Sequence, residues 1–154
     1  MKAIAVAILL GLFAENAPPQ TEPHTPSKMV SEKDLDTLDY CLWFLRAQYW
    51  IDHPDTAYGK EFSKQLNLNP ADEAAFRSIV GDFNKRHEQL LAEHYRKIKN
   101  REWTPETETQ LIGDLVAATN DTIARIKTNL SAAGAMKVDN LMLHGGQGSV
   151  FETS

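Results

Sequence analysis

Residues 69–99 read NPADEAAFRSIVGDFNKRHEQLLAEHYRKIK. Asn69 is a strong N-cap residue, Pro70 suits the first helical position, and Asp72 and Glu73 place negative charge at the positive end of the helix dipole. Phe76, Ile79, Val80, Phe83, His87, Leu90, His94 and Ile98 then recur mostly at steps of three and four, which is one apolar stripe on a helix. The run predicts a helix over about 70–100, ~45 Å long at 1.5 Å per residue.

The same opening returns thirty-five residues later as Thr104-Pro105-Glu106. Leu111, Ile112, Leu115, Val116, Thr119, Ile123, Ile126 and Leu130 carry its stripe and predict a helix over about 105–132. Two repeats are too few for a solenoid, which needs about three units. Two long helices joined by four or five residues read instead as an antiparallel hairpin.

Upstream, Ser31-Glu32-Lys33-Asp34 marks another helix start, and Leu35, Leu38, Leu42, Leu45 and Tyr49 step by three and four to about residue 52, before Pro54. Residues 53–68 contain Pro54 and Gly59 and read as a connection with a short turn near 60–66. Gly134 reads as a helix C-cap or hinge. A short last helix over about 135–144 uses Met136, Leu141 and Met142. No segment alternates with a period of two. The fold class expected is all-α: a long helical hairpin covered by an N-terminal helix and a short C-terminal one.

The ends read differently. Met1 and Lys2 precede an apolar run over 3–14, too short for a bilayer-spanning helix but matching the core of a secretory signal peptide. Residues 15–30 hold four prolines and read as a disordered leader, and 145–154 as a disordered tail. This leaves residues 31–144 as one helical domain in a periplasmic or secreted protein, with no stable membrane insertion once the signal is removed.

One cysteine among 154 residues excludes a disulfide scaffold and a four-thiolate metal site. The formal net charge of −5 argues against general nucleic-acid binding. The chain contains no G-x-S-x-G, H-E-x-x-H, G-x-x-x-x-G-K or G-x-G-x-x-G sequence, so no catalytic site or cofactor is expected. Cys41 lies in an apolar helix and reads as a buried thiol, with an intermolecular disulfide as the alternative in an oxidising compartment. His87 and His94 are the only candidate metal ligands on the hairpin. Two helical turns, about 10.5 Å, separate them, so they cannot ligate one ion by themselves. They read as seam histidines, and the alternative is a metal- or small-ligand-binding bundle.

Two further features stand out. Between residues 85 and 101, Lys85, Arg86, Arg96, Lys97, Lys99 and Arg101 face only Glu88 and Glu93 in sequence, so this stretch is net +4 and the remainder −9. The cations suit a helix C-terminus, or form a patch for anionic partners or a membrane surface. Five of the thirteen aromatic residues fall between positions 40 and 50. Tyr40, Trp43, Ala47 and Trp50 form a second apolar stripe beside the leucines. They are candidate partner-binding residues unless the 53–68 connection wraps over them.

The helix openings Leu68-Asn69-Pro70-Ala71-Asp72 and Trp103-Thr104-Pro105-Glu106-Thr107, behind a signal peptide and Pro-rich leader, resemble small exported bacterial helical proteins of the L-T-x-x-Q type. That family comprises periplasmic chaperones and stress or heavy-metal sensors. The resemblance covers roughly residues 66–144. Asp72 and Thr107 stand where the motif has Gln, leucine is missing from the second copy and threonine from the first. The resemblance implies an exported, non-enzymatic protein that binds other proteins. A second copy of itself is included among the expected partners, with a dimer slightly favoured.

Overall fold

A computed structural model of the chain describes residues 31–145, of which 87% are helical. The expected signal peptide (1–14), leader (15–30) and the tail beyond Gly145 lie outside the described residues. Among the described residues there are five helices and no strand: α1 Glu32–Asp52, α2 Ala57–Leu66, α3 Pro70–Lys99, α4 Pro105–Asn129 and α5 Ala132–Gly145. The protein is all-α, as expected.

The helix starts are local chemistry. The Ser31 hydroxyl accepts from Asp34 N–H at 3.2 Å while the Asp34 carboxylate accepts from Ser31 N–H at 3.3 Å, a reciprocal capping box. Asn69 Oδ1 accepts from the amides of Ala71 (3.0 Å) and Asp72 (2.9 Å). Thr104 and Thr107 exchange the same reciprocal bonds at 3.3 and 3.0 Å. The expected turn near 60–66 is in fact the full helix α2. Thr56 caps it by accepting from Gly59 N–H at 3.0 Å. Gly59 is required there, since a Cβ would stand 2.9 Å from Pro54 Cα.

The hairpin is antiparallel. Arg125 donates to Asp82 at 2.8 Å and Arg86 approaches Asp121 at 3.9 Å, so rising numbers on α3 meet falling numbers on α4. The longer α3 and α4 form a groove, and α1 lies in it antiparallel to α3. Arg77 near the start of α3 donates to the Ile51 carbonyl at 3.4 Å, and the Phe44 and Phe83 rings lie 5.2 Å apart.

The rotation of α1 in that groove differs from the sequence expectation. Its buried face is Thr37, Cys41, Trp43, Phe44 and Ala47, with Phe44 and Ala47 wholly inside. The leucine stripe points off this face: Leu38, Leu42 and Leu45 are half-buried, and Tyr49 is 55% exposed. Phe44 wins because it reaches Phe83 while its neighbour Trp43 reaches Phe76 at 6.2 Å, filling the groove with rings that the leucines cannot match in volume. The second stripe is covered from within the chain. α2 lays Phe62 6.0 Å from Trp43 and 4.9 Å from Trp50. Each such aromatic pair adds about 0.5–1.5 kcal/mol beyond its buried area.

At the other end of the hairpin Gly134 proves not to be a cap. α4 stops at Asn129, where Leu130 turns extended (φ −92°, ψ 158°) and buries its side chain. Ser131 caps α5, accepting from Gly134 N–H at 3.1 Å, and Gly134 lies inside that helix. Its missing side chain makes room for Asp72, whose Cγ would be 2.8 Å from a Cβ at 134. Asp72 accepts from the Ser131 hydroxyl (2.6 Å), the Ser131 amide (2.8 Å) and Asn69 Nδ2 (2.6 Å). One carboxylate therefore ties the N-termini of α3 and α5 together, and Lys137 reinforces the junction by donating to the Asn67 carbonyl.

Two predictions follow from this packing. Phe44→Ala should cost about 3–5 kcal/mol in denaturant unfolding, the range for a truncated core ring, whereas Tyr49→Ala should stay within about 0.5 kcal/mol. The Ser131 hydroxyl first, then the Ser131 amide, hold the Asp72 carboxyl below its ordinary range against the opposing effect of burial. The resulting stabilisation is complete above the unfolded value of about 3.9 and is lost as pH falls through the lowered folded value. Asp72→Asn should therefore melt lower than the parent at neutral pH, with the gap closing on acidification below about pH 4.

Candidate functional site

The seam between α1, α3 and α4 changes character along its length. Around Phe44 it is aromatic. Towards the α3–α4 turn it becomes polar, with Thr37, Cys41, His87, His94, Thr119 and Thr122 facing or flanking it. The threonine hydroxyls are spent on their own helices. Thr37 donates to the Lys33 carbonyl (3.0 Å), Thr119 to Leu115 (2.8 Å) and Thr122 to Ala118 (2.8 Å). This back-bonding is how a buried hydroxyl satisfies itself in a helix.

Cys41 is 3% exposed and faces Thr119 across the seam. Burial pushes its thiol up to about 11, and the contact with Thr119 offsets only part of that rise. A nucleophilic or metal-binding cysteine needs the opposite shift, towards the thiolate. The side chain also points into the bundle, away from the surface an intermolecular disulfide would require.

His87 is half-buried with its ring 6.2 Å from Phe83. Burial lowers its pKa, and Glu88 restores some of it. His94 is buried, and burial lowers it too, opposed by Glu108 from the first turns of α4 and assisted by Lys97. Both imidazoles are therefore neutral at neutral pH, the form that ligates metals. The structure does not bring them together. Among the described residues, no group of three or more His, Cys, Asp or Glu side chains is placed to hold a metal ion.

The four candidate partner-binding residues divide. Trp43 and Ala47 are interior, while Tyr40 and Trp50 are half-buried and packed against the core. The exposed residues of α1 are Glu32, Lys33, Asp36, Asp39, Arg46, Tyr49 and Asp52, and its leucine stripe is half-buried. Leu35, Leu38 and Leu42 are half-buried without packing on the aromatic core, Leu45 touches it at the edge, and Tyr49 stacks on His53 at 4.2 Å. Periodicity alone does not distinguish this stripe from the aromatic one that fills the groove, because both recur at helical spacing. Two further large side chains, Met136 and Leu143, stand out from α5 at a separation of seven residues, hence on one face.

No described helix is long and apolar enough to cross a membrane. Comparison with known protein families, curated proteins and solved structures finds no match for this chain.

The placement of Cys41 generates a direct check. At neutral pH a thiol reagent should label the folded protein no faster than the protein unfolds, and label it at once in denaturant. Rapid labelling of the folded state would contradict the seam geometry.

Proposed function

We propose that this is an exported, non-enzymatic helical protein that acts by binding other proteins, in the manner of a periplasmic chaperone or stress sensor. The feature that supports the reading is the leucine-bearing apolar stripe of α1, half-buried Leu35, Leu38, Leu42 and Leu45 with exposed Tyr49, at alternating spacings of three and four on a different face from the side chains that fill the groove. Such a seam accepts an amphipathic helix by knobs-into-holes packing, and the anchors at i, i+3 and i+7 are those of helix recognition. The partner is an exposed apolar helix of a client, or α1 of a second copy. Export is supported by Lys2 and the apolar run over 3–14. The inward, protonated thiol of Cys41 and the separated histidines fit a binding role better than a chemical one.

The test is suppression of client aggregation without ATP. The purified protein should slow aggregation of two unrelated unfolding clients, and Leu42→Gln combined with Tyr49→Ser should remove most of that effect while the protein stays folded by circular dichroism. Sedimentation of the same variant decides whether the seam serves self-association, since a dimer built on it would shift to monomer. Absence of any protection at several-fold molar excess over both clients would refute the reading.

A further inference from the structure

One side of α1 carries a pattern that reads the same from either end. At about 100° per residue, Leu42 stands about 200° and 140° round the helix from Phe44 and Ala47, the two residues wholly inside. Leu35, Leu38, Leu45 and Tyr49 all lie within about 60° of Leu42. Leu35, Leu42 and Tyr49 occupy one core position of a heptad and Leu38 and Leu45 the other, over about 21 Å of helix. The leucines are half-buried, and Leu35, Leu38 and Leu42 do not pack on the aromatic core.

Two exposed charges border this stripe on one flank. Asp39 and Arg46 each follow a stripe leucine by one residue, so both stand at the same heptad position, about 10.5 Å apart. That distance puts them out of each other's reach, and among the described residues neither enters an ion pair. The other charges of α1 gather at its start. Four of its five carboxylates, Glu32, Asp34, Asp36 and Asp39, precede residue 40, and Arg46 is its only cation after Lys33.

We propose that this stripe is the interface of an antiparallel dimer, α1 against α1 of a second copy, with Asp39 of each copy paired to Arg46 of the other. Residue numbers rise on one helix as they fall on the other. In the register that layers Leu42 against Leu45 and Leu38 against Tyr49 of the second copy, the flanking positions facing one another are 39 and 46. The two-fold axis then passes at the level of residues 42–43, and every contact is made twice, as an isologous interface requires. A parallel pair would bring the two acidic helix starts together. The antiparallel pair sends them to opposite ends and sets the helix dipoles against one another. An amphipathic client helix matches the leucines alone, whereas a copy of α1 also brings an arginine to Asp39 and an aspartate to Arg46. The proposal rests on the reading of this stripe as a binding face and names its occupant.

The experiment is sedimentation equilibrium of the purified protein and of charge-reversed variants at these exposed positions, with circular dichroism to establish that each is folded. The parent should dimerise. Asp39→Arg and Arg46→Asp should each weaken the dimer about ten-fold, or about 1.4 kcal/mol, because each reversal turns two attractive pairs into repulsive ones. The double variant Asp39→Arg/Arg46→Asp should regain the parent's affinity, and an equimolar mixture of the two single variants should form a heterodimer tighter than either homodimer. A role confined to the protomer would give neither restoration. Lys64→Asp on α2 makes the same change in net charge as Arg46→Asp and should leave association unaltered. The proposal is overturned by a parent that stays monomeric at several hundred micromolar, by single reversals without effect, by Lys64→Asp acting as strongly as Arg46→Asp, or by a double variant and a mixture that restore nothing. Client protection is scored separately. A monomeric parent that still slows client aggregation overturns the dimer alone, and a dimer restored by the charge swap that protects no client refutes the chaperone reading alone.

Discussion

The insertion of Phe44 into the groove of the α3–α4 hairpin, against Phe83, is the contact on which the arrangement depends. Two antiparallel helices alone bury only the strip where they touch and leave the groove between them open to water. α1 fills it, and its rotational setting follows from which side chains fill it best. With Phe44 inside, Trp43 turns towards Phe76 and creates a second surface, which α2 closes with Phe62. The connection between α1 and α3 thus becomes a helix because an aromatic face needs a cover. The same rotation leaves Leu35, Leu38, Leu42 and Leu45 half-buried on a different face.

The two halves of the seam differ in what they allow. The aromatic half is densely filled and fixes the helices against one another. The polar half contains Cys41, His87 and His94, whose surroundings favour their neutral forms. Desolvation raises Cys41 and lowers His87 and His94, in each case towards the neutral form. The threonines between them bond to their own helices and offer no donor to a ligand.

The two ends of the hairpin show opposite solutions to the problem of unsatisfied helix termini. At the start of α3, Asp72 serves two helices at once, and Gly134 leaves it the space to do so. Every element of that junction is locally favourable. At the α3–α4 turn the backbone closure is regular, but an arginine, Arg101 at φ 61°, stands where glycine fits best, and Trp103 is 42% exposed.

The sequence by itself determined the elements. Ser31, Asn69-Pro70 and Thr104-Pro105 act on amides two or three residues away, so their meaning does not depend on the rest of the molecule, and α1, α3 and α4 begin where those residues place them. The antiparallel hairpin was legible for the same reason, since a five-residue connection between long helices permits little else. The candidate site was legible only as a set of residue types. What tertiary structure decided is rotation and distance. Two stripes on α1 are similarly apolar, and periodicity cannot rank them, because the choice rests on the volume of a groove formed by residues 30 to 80 positions away. Gly134 has the composition of a helix end, yet it lies within a helix because Asp72, remote in sequence, needs the room. His87 and His94 share a stripe in any helix containing them, but whether a third ligand meets them depends on what α1 and α4 bring alongside. Capping is a property of neighbours in the chain, and packing is a property of neighbours in space.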